Sequence, residues 1–337
     1  MRDAGGLAER LDGDQGLGAP GLAHAGGPQG GRPPFPDMST IDPTGVAAAR
    51  PGGLGRRLST FLYHRPRAAL AALLAAPLGW LLIGYLGSLF VLLLAAFWDT
   101  DTFTAQVVHT FTLDNFRQII EEPVYREVAW RTIKMAALVT VADAVLAFPI
   151  AYYMARVATP TARNLLIVAV LVPLWASYLV KAYAWRTILS DNGVINWVLD
   201  PLGLQFNGYS SVGLWLVFTY LWLPFMILPI YAGLERIPGS LLEASADLGG
   251  KTLRTFLRVT LPLAFPAVVA GSIFTFSLTL GDYIAPDLIT SQQFIGTVIY
   301  DQRGVNLPVA AAYTFVPIVV MTIYLLVARR LKAFQAL

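Results

Sequence analysis

The sequence predicts an all-α integral membrane protein with about six transmembrane helices. Of its 337 residues, 56% are hydrophobic and only 13% are charged, whereas a soluble chain usually carries about 25% charged residues. Long apolar runs recur along the chain, each near the roughly 20 residues that a helix needs to cross a bilayer. The net charge of +3 gives no indication of nucleic-acid binding, and the lack of cysteine excludes disulfides, thiol catalysis and cysteine-bound metals.

The N-terminal segment differs in composition from the rest of the chain. Fourteen of the 29 glycines and seven of the 22 prolines precede Arg56. Such a segment buries too little apolar surface to offset its loss of conformational entropy. We therefore expect a disordered cytoplasmic tail over residues 1–57 and a transmembrane domain over 58–337. The tail contains no apolar core of the kind found in signal peptides, so the first apolar run should remain as an anchor.

Six apolar runs are predicted to cross the membrane: 69–97, 132–155, 164–185, 213–233, 262–283 and 308–328. Several contain proline, which membrane helices tolerate when neighbouring groups satisfy the freed carbonyls. The segment 286–300 is moderately apolar but too short to cross the hydrocarbon. We interpret it as a re-entrant or surface segment.

The basic residues predict one orientation. If both chain ends are cytoplasmic, the inside segments carry thirteen lysines and arginines and the outside segments carry six. Positive charge in short loops accumulates on the cytoplasmic side. The segments 156–163 and 234–261 are therefore expected in the cytoplasm, and the spans in contact with membrane lipid.

The loop between the fourth and fifth spans reads LLEASADLGGKTLRTFLRVTLP over residues 241–262. Ser240 is predicted to cap a short helix over 241–248, because serine side chains accept hydrogen bonds from the first turn. Gly249 and Gly250 then favour a turn, and Thr252 is expected to cap a second short helix that reaches Thr260. Its apolar and basic residues fall on opposite faces.

Three interpretations of this charged insert compete. It is either an amphipathic surface segment on anionic lipid, a phosphate-binding loop, or a docking element for a soluble partner. Residues 250–252 read Gly-Lys-Thr as in a phosphate-binding loop, but that pattern requires a preceding strand and a glycine where Ser245 stands. Two interpretations remain on the residues alone.

A resemblance decides between them. The loop is similar to the EAA motif of ABC-importer permeases, in which EAA, a glycine four residues later and a final Leu-Pro recur. The positions that match are Glu243, Ala244, Ser245, Gly249, Leu261 and Pro262, with Ser245 standing for alanine. The segments PLWASYLVKAYAWRTILSDNGVIN, LPFMILPIYAGLERIP and LGDYIAPDLI extend the likeness to the spermidine/putrescine-type permeases over residues 110–330.

This resemblance implies a type I ABC-importer permease of a bacterial inner membrane. Its EAA loop, residues 239–262, would be the coupling element that binds a cytoplasmic ATPase dimer. Glu243 would pair with a base of the ATPase, Ala244 would allow close approach, and Gly249 would form the turn. The chain would be no enzyme and would bind no cofactor, because ATP and magnesium would bind to the ATPase. Further expected partners are a second permease subunit, as a heterodimer, and an extracytoplasmic solute-binding protein.

Ionisable groups at membrane depth are expensive and therefore indicate function. Asp143 lies near the middle of its predicted span, and Lys181 and Asp282 lie near the ends of theirs. Since polyamines are cations, a carboxylate with aromatic neighbours suits them, and the candidate substrate-pathway residues are Asp282, Tyr283, Trp175, Tyr178, Asp143 and Lys181. Asp143 has an alternative, structural role, in which it pairs with Lys181 or with a backbone group.

Other functional classes have less support. The three histidines lie outside the predicted spans, and the chain has no HExxH or GxSxG pattern. An ion-coupled secondary transporter would also place acids in the membrane, but it has no need for a cytoplasmic docking helix. The predicted function is an alternating-access permease for spermidine, putrescine or a related small organic cation.

Overall fold

The computed structural model describes residues 66–330 apart from 102, 103 and 105, so the predicted tail over 1–57 lies outside the described residues. By internal contacts the chain divides into residues 1–73 and 74–337. The described residues of the first unit, 66–73, are the N-terminal part of one helix. All the other elements described below belong to the second unit.

The first predicted span is a continuous helical rod. Helix α1 (Pro66–Gly79) passes through a π-helical segment (Trp80–Leu86) into α2 (Gly87–Ala95). Large apolar side chains along it are exposed, among them Trp80 and Ile83 at 80% each. A large exposed apolar surface is unfavourable in water, so this surface is suited to contact with lipid or with a partner helix. A short antiparallel ribbon follows, with β1 (Asp99–Thr100) paired to β2 (Val107–Val108).

The remaining helices fall into long spans and short connectors. In chain order they are α3 (Asp114–Glu121), α4 (Pro123–Tyr152), α5 (Pro160–Trp175), α6 (Tyr178–Ile188), α7 (Val194–Leu199), α8 (Ser211–Glu235), α9 (Gly239–Asp247), α10 (Thr252–Thr255), α11 (Leu261–Gly281), α12 (Ile284–Ile289), α13 (Ile295–Gln302), α14 (Leu307–Tyr313) and α15 (Phe315–Arg330).

Helices α4, α8 and α11 pack along one another and form the centre of the bundle. One apolar cluster near the α4 and α8 N-termini joins Val139 to Leu214, Phe218 and Trp222. Another, nearer their C-termini, joins Ala147 to Met226 and neighbouring residues. The close approach of α8 and α11 depends on Gly271, where a Cβ would lie 2.7 Å from the Met226 sulfur.

Within the part of the chain that the structure describes, five helical segments are long and apolar enough to cross a membrane: Leu73–Ala95, Pro123–Val157, Ser211–Glu235, Thr252–Gly281 and Leu307–Arg330. They correspond to the first, second, fourth, fifth and sixth predicted spans. The third predicted span, 164–185, is two helices, α5 and α6, bent by 93° at residues 176 and 177. The predicted surface segment 286–300 consists of the short helices α12 and α13.

Candidate functional site

The loop between the fourth and fifth predicted spans forms two short helices joined by a tight turn. Helix α9 ends in a Schellman motif: the Gly249 amide donates to the Ala246 carbonyl at 2.8 Å, and the Gly250 amide to the Ser245 carbonyl at 2.8 Å. Gly249 has φ 76, a left-handed conformation that side-chain-bearing residues avoid. The position at which the EAA pattern requires glycine is therefore one that the backbone requires as well.

The predicted caps were wrong in detail. Helix α9 begins at Gly239, with Pro238 as its N-cap and no side-chain cap bond. Ser240 is thus inside the first turn, where it cannot occupy the half-helical capping position. Likewise Thr252 is the first residue of α10, and Lys251 is its N-cap.

A side-chain hydrogen bond holds the two short helices together. The Ser245 and Thr255 hydroxyls lie 2.8 Å apart across the turn. Gly250 lies directly beneath them, and a Cβ there would meet the Ser245 carbonyl at 2.6 Å and the Thr255 hydroxyl at 2.8 Å. Ser245, the departure from alanine in the motif, is therefore used to brace the loop.

The loop presents an unpartnered surface. Neither α9 nor α10 contains a buried residue, and Glu243 and Ala244 are exposed. Leu248 is 90% exposed and Leu253 is 68% exposed. Exposed leucines next to a glutamate suit a protein partner, since apolar anchors and charged neighbours are typical of docking helices.

The loop is anchored to the bundle through Phe256. Its ring meets Phe148 edge-on at 5.4 Å and Tyr152 at 5.9 Å, both on α4. Residues Phe256–Thr260 form a π-helical segment that continues into α11, with the Leu261 amide donating to the Phe256 carbonyl. Pro262 therefore does not begin a separate helix. The wider turn accommodates this proline, which cannot donate to the ladder.

An arginine ties the end of α8 to α4. The Arg156 guanidinium donates to the Leu234 and Ile237 carbonyls at 2.5 and 2.6 Å. Leu234 is in the last turn of α8 and Ile237 lies two residues beyond its end, a region where the last helix carbonyls favour cations. Helix α9 begins two residues after Ile237. Arg156 thus fixes the point at which the loop leaves the bundle.

At the opposite end of the bundle, Asp282 organises a junction of four helices. Its Oδ2 accepts a hydrogen bond of 2.5 Å from the Tyr178 hydroxyl on α6. Its Oδ1 accepts from the Ile284 and Ala285 amides at 2.8 and 3.1 Å, at the start of α12. Asp282 itself follows the end of α11, and its carbonyl lies 2.5 Å from where a Gly296 Cβ would stand on α13.

The predicted aromatic partners are distributed around this junction. Tyr178 stacks on Trp222 with ring centroids 6.0 Å apart, and Tyr283 stacks on Tyr300 at 4.4 Å. Trp175 ends α5 and is 90% exposed. The structure thus brings Tyr178 and Asp282 together, and Tyr283 follows Asp282 in the sequence. Trp175 lies at the break between α5 and α6.

Asp143 and Lys181 do not join this junction. Asp143 is fully buried, and both carboxylate oxygens have no hydrogen-bond partner. Within the described residues no ion pair links it to Lys181, and no backbone group bonds to it, so neither pairing expected for a structural role is formed. Lys181 instead lines a cavity of about 220 Å³ with Trp185 and Tyr220.

Some features escaped the sequence-based predictions. A cavity of about 720 Å³ lies in the loop between α6 and α8, lined in part by Asp191, Trp197 and Asp200. Asn196 closes this loop by donating to and accepting from the Phe206 backbone, at 3.1 and 2.8 Å. Its polar composition is visible in the sequence, but the pairing that folds it is not.

Comparisons with known proteins agree with this arrangement. Residues 132–336 match the model of the family described as binding-protein-dependent transport system inner membrane component. The inner membrane ABC transporter permease protein YdcU of Escherichia coli (strain K12) is 48% identical over 307 residues, covering 86% of this chain and 97% of that protein. The spermidine/putrescine transport system permease protein PotB of the same strain is 35% identical, covering 64% and 81%.

The fold also has a solved relative. A permease chain from the crystal structure of a bacterial ABC transporter involved in the import of alginate superimposes with a TM-score of 0.62. It covers 83% of this chain and 99% of its own, at 18% sequence identity. At that identity the likeness concerns the fold alone, and it confirms the type I importer architecture.

These matches exclude the alternative of an ion-coupled secondary transporter and make the chain a transport component rather than an enzyme. It spans an inner membrane several times, and it carries the EAA loop between its fourth and fifth predicted spans. The chain belongs to the family of inner-membrane permease components of binding-protein-dependent ABC importers.

Proposed function

We propose that this permease imports polyamines such as spermidine and putrescine, or a related small organic cation. It works as one half of a heterodimer with a sister permease. Two ATPase subunits, which bind ATP and magnesium, lie beneath the pair, and a solute-binding protein docks outside. The likeness to PotB, whose name states spermidine/putrescine transport, supports this solute class.

The exposed coupling loop carries the proposal of an ATPase partner. Leu248 and Leu253 remain largely exposed, and Glu243 stands on the same short helix pair, ready to meet a base. The Schellman turn at Gly249 and the Ser245–Thr255 bond make the pair rigid. A rigid pair transmits force, because its two helices cannot move independently.

The chemistry at the outer junction supports a cationic solute. Asp282 already accepts three protein hydrogen bonds, so it positions Tyr178 and α12 while its charge attracts ammonium groups. Trp175 and Tyr283 supply aromatic faces, which attract cations through their ring quadrupole. In the alternating-access cycle, closure of the ATPase dimer moves the loop, and Phe256 and Arg156 pass that motion to α4 and α8.

The distribution of basic residues supports an orientation for the chain. With both termini in the cytoplasm, the coupling loop faces the ATPase and the Asp191–Asp200 loop faces the binding protein. The basic end of α15, with Arg329 and Arg330, agrees with the positive-inside rule.

The test is uptake of labelled spermidine and putrescine by the assembled importer, with and without ATP. Glu243→Ala should leave the chain inserted but weaken ATPase co-purification and solute-stimulated ATP hydrolysis. Losing one partner of a desolvated charged pair costs about 2–5 kcal/mol. Gly249→Val should act similarly, because a side chain in the left-handed region costs about 1–2 kcal/mol.

Two matched controls isolate the coupling role. Glu121→Ala removes an exposed glutamate that pairs with Arg117 at 2.7 Å, and such surface pairs contribute about 0–1 kcal/mol. Gly203→Val introduces a side chain at φ 66 with open space around it, outside the coupling loop. Both controls should transport normally. Full ATP-dependent uptake by Glu243→Ala and Gly249→Val would refute the coupling role of this loop.

A further inference from the structure

Asp143 is the most unusual polar group among the described residues. It stands at the middle of the second predicted span, 132–155, and none of its surface is exposed. One turn away on either side, Val139 and Ala147 are packed against residues of α8. Asp143 therefore points into the contact between the central helices rather than toward lipid.

This carboxylate has no partner in the described structure. Neither oxygen accepts a hydrogen bond, although a buried charge without a partner is strongly disfavoured. Among the described residues three other buried polar atoms also lack partners: the Thr219 hydroxyl and the Trp222 indole nitrogen, both on α8, and Nε of Arg156. Buried polar groups are ordinarily satisfied. Asp143 and these two α8 groups lie on helices that pack against each other along the centre of the bundle, and Trp222 shares an apolar cluster with Val139 of α4.

A series of contacts leads from the junction at Asp282 to the part of α4 that bears Asp143. Asp282 binds Tyr178, and Tyr178 stacks on Trp222. Trp222 shares an apolar cluster with Val139, which lies four residues before Asp143. Thr140, three residues before Asp143 and so on the same face of α4, accepts a hydrogen bond from Thr275 of α11. The face that bears Asp143 thus meets both α8 and α11.

We propose that Asp143 is a mid-membrane binding residue for an ammonium group of the transported solute, exposed when α8 and α11 move away from α4. An ammonium group donates hydrogen bonds and carries the charge that a buried carboxylate lacks. In the closed conformation the same carboxylate is unpaired. This inference rests on the proposed import of organic cations.

The stability of the bundle distinguishes a binding role for Asp143 from a structural one. A residue kept for packing should stabilise the bundle, whereas replacing an unpaired buried charge with a neutral group is neutral or stabilising. Asp143→Asn and Asp143→Leu should therefore melt at the same temperature as the wild type or higher. A binding residue that destabilises its own fold is a common cost of function.

The experiment compares wild type, Asp143→Asn, Asp143→Leu and Glu127→Gln in the full importer. Glu127 lies on the same helix but is largely exposed and paired with Arg131 at 2.8 Å. Thermal unfolding is measured in detergent, and uptake of labelled spermidine and putrescine is measured in proteoliposomes. Both Asp143 variants should lose about thirtyfold in uptake, which corresponds to about 2 kcal/mol, without a lower melting temperature. Glu127→Gln should match the wild type.

The possible failures are distinguishable. Normal uptake by both Asp143 variants would overturn the role of Asp143 and leave the proposed function standing. A melting temperature below that of the wild type, or failure to assemble, would show that Asp143 supports the fold and would also overturn it. If the wild type takes up neither amine, the proposed function is wrong and this inference falls with it.

Discussion

Gly249 and Gly250 stand side by side in the loop of residues 239–262 for different physical reasons. Gly249 has φ 76 and open space around its α-carbon, whereas at Gly250 a Cβ would meet the Ser245 carbonyl at 2.6 Å. The first glycine is required by backbone conformation and the second by close approach. The motif in the sequence identifies only the first, because the Ser245–Thr255 bond above Gly250 is formed by tertiary contact.

Gly250→Ala is expected to weaken coupling. The added methyl group would push apart the Ser245 and Thr255 hydroxyls, and forcing extra carbon into such a contact costs about 1–3 kcal/mol. We expect reduced ATPase co-purification and reduced ATP-dependent uptake, with normal amounts of permease in the membrane. Pull-down of the ATPase and uptake assays measure both effects.

The matched control is Gly239→Ala at the start of the same short helix. No atom lies within 4 Å of its added methyl group, and alanine is a better helix former than glycine. This variant should couple as well as the wild type. Equal behaviour of the two alanine variants would show that the close contact at Gly250 has no role in docking.

At the scale of elements, the sequence predicts where helices cross but not where one of them breaks. Span 164–185 has the length and apolarity of a crossing, yet it bends by 93° between α5 and α6. Ala176 and Ser177 are extended, with ψ 140 and 135. The break is held by the bond between Tyr178 and Asp282, a contact over 104 residues of sequence that no local pattern contains. Pro173 was the only local signal of irregularity near it.

The hydrogen bonds from Arg156 to the Leu234 and Ile237 carbonyls yield a prediction. Arg156→Gln would remove the guanidinium donor from the Ile237 carbonyl and from the Leu234 carbonyl, which also accepts from the Ile237 amide at 3.3 Å. An unsatisfied buried group costs about 1–3 kcal/mol. We expect a lower melting temperature and weaker solute-stimulated ATP hydrolysis, since the coupling loop begins directly after this point. Thermal unfolding and ATPase assays of the assembled importer test it.

Arg163→Gln provides the comparison on the same side of the bundle. Arg163 donates to the Met154 carbonyl at 3.1 Å and pairs with Glu235 at 3.6 Å, both side chains being partly exposed. Exposed pairs contribute about 0–1 kcal/mol, so this variant should change little. A larger loss of melting temperature or of ATP hydrolysis in Arg163→Gln than in Arg156→Gln would contradict the proposed role of Arg156 in holding the end of α8.

At the scale of the whole molecule, composition and the lengths of apolar runs were enough to predict the class of protein and five of the helical crossings. The packing of α4, α8 and α11 into one centre was not predictable, because their apolar residues surround each helix and give no preferred face. The buried Asp143 illustrates the limit. Its position in the span was clear, but its lack of a partner depends on three helices at once.

The orientation of the whole chain gives the last prediction. The chain has no cysteine, so a single introduced cysteine reports its own location. Asp247→Cys lies on the exposed coupling helix α9, and Glu121→Cys lies on the exposed end of α3. If the coupling loop is cytoplasmic, a membrane-impermeant maleimide added to intact spheroplasts should label the cysteine at 121 and leave that at 247 unlabelled. Permeabilised membranes should label both, because both side chains are accessible to water. Labelling at 247 without labelling at 121 in intact spheroplasts would reverse the orientation, and the loop could then not be the contact with a cytoplasmic ATPase.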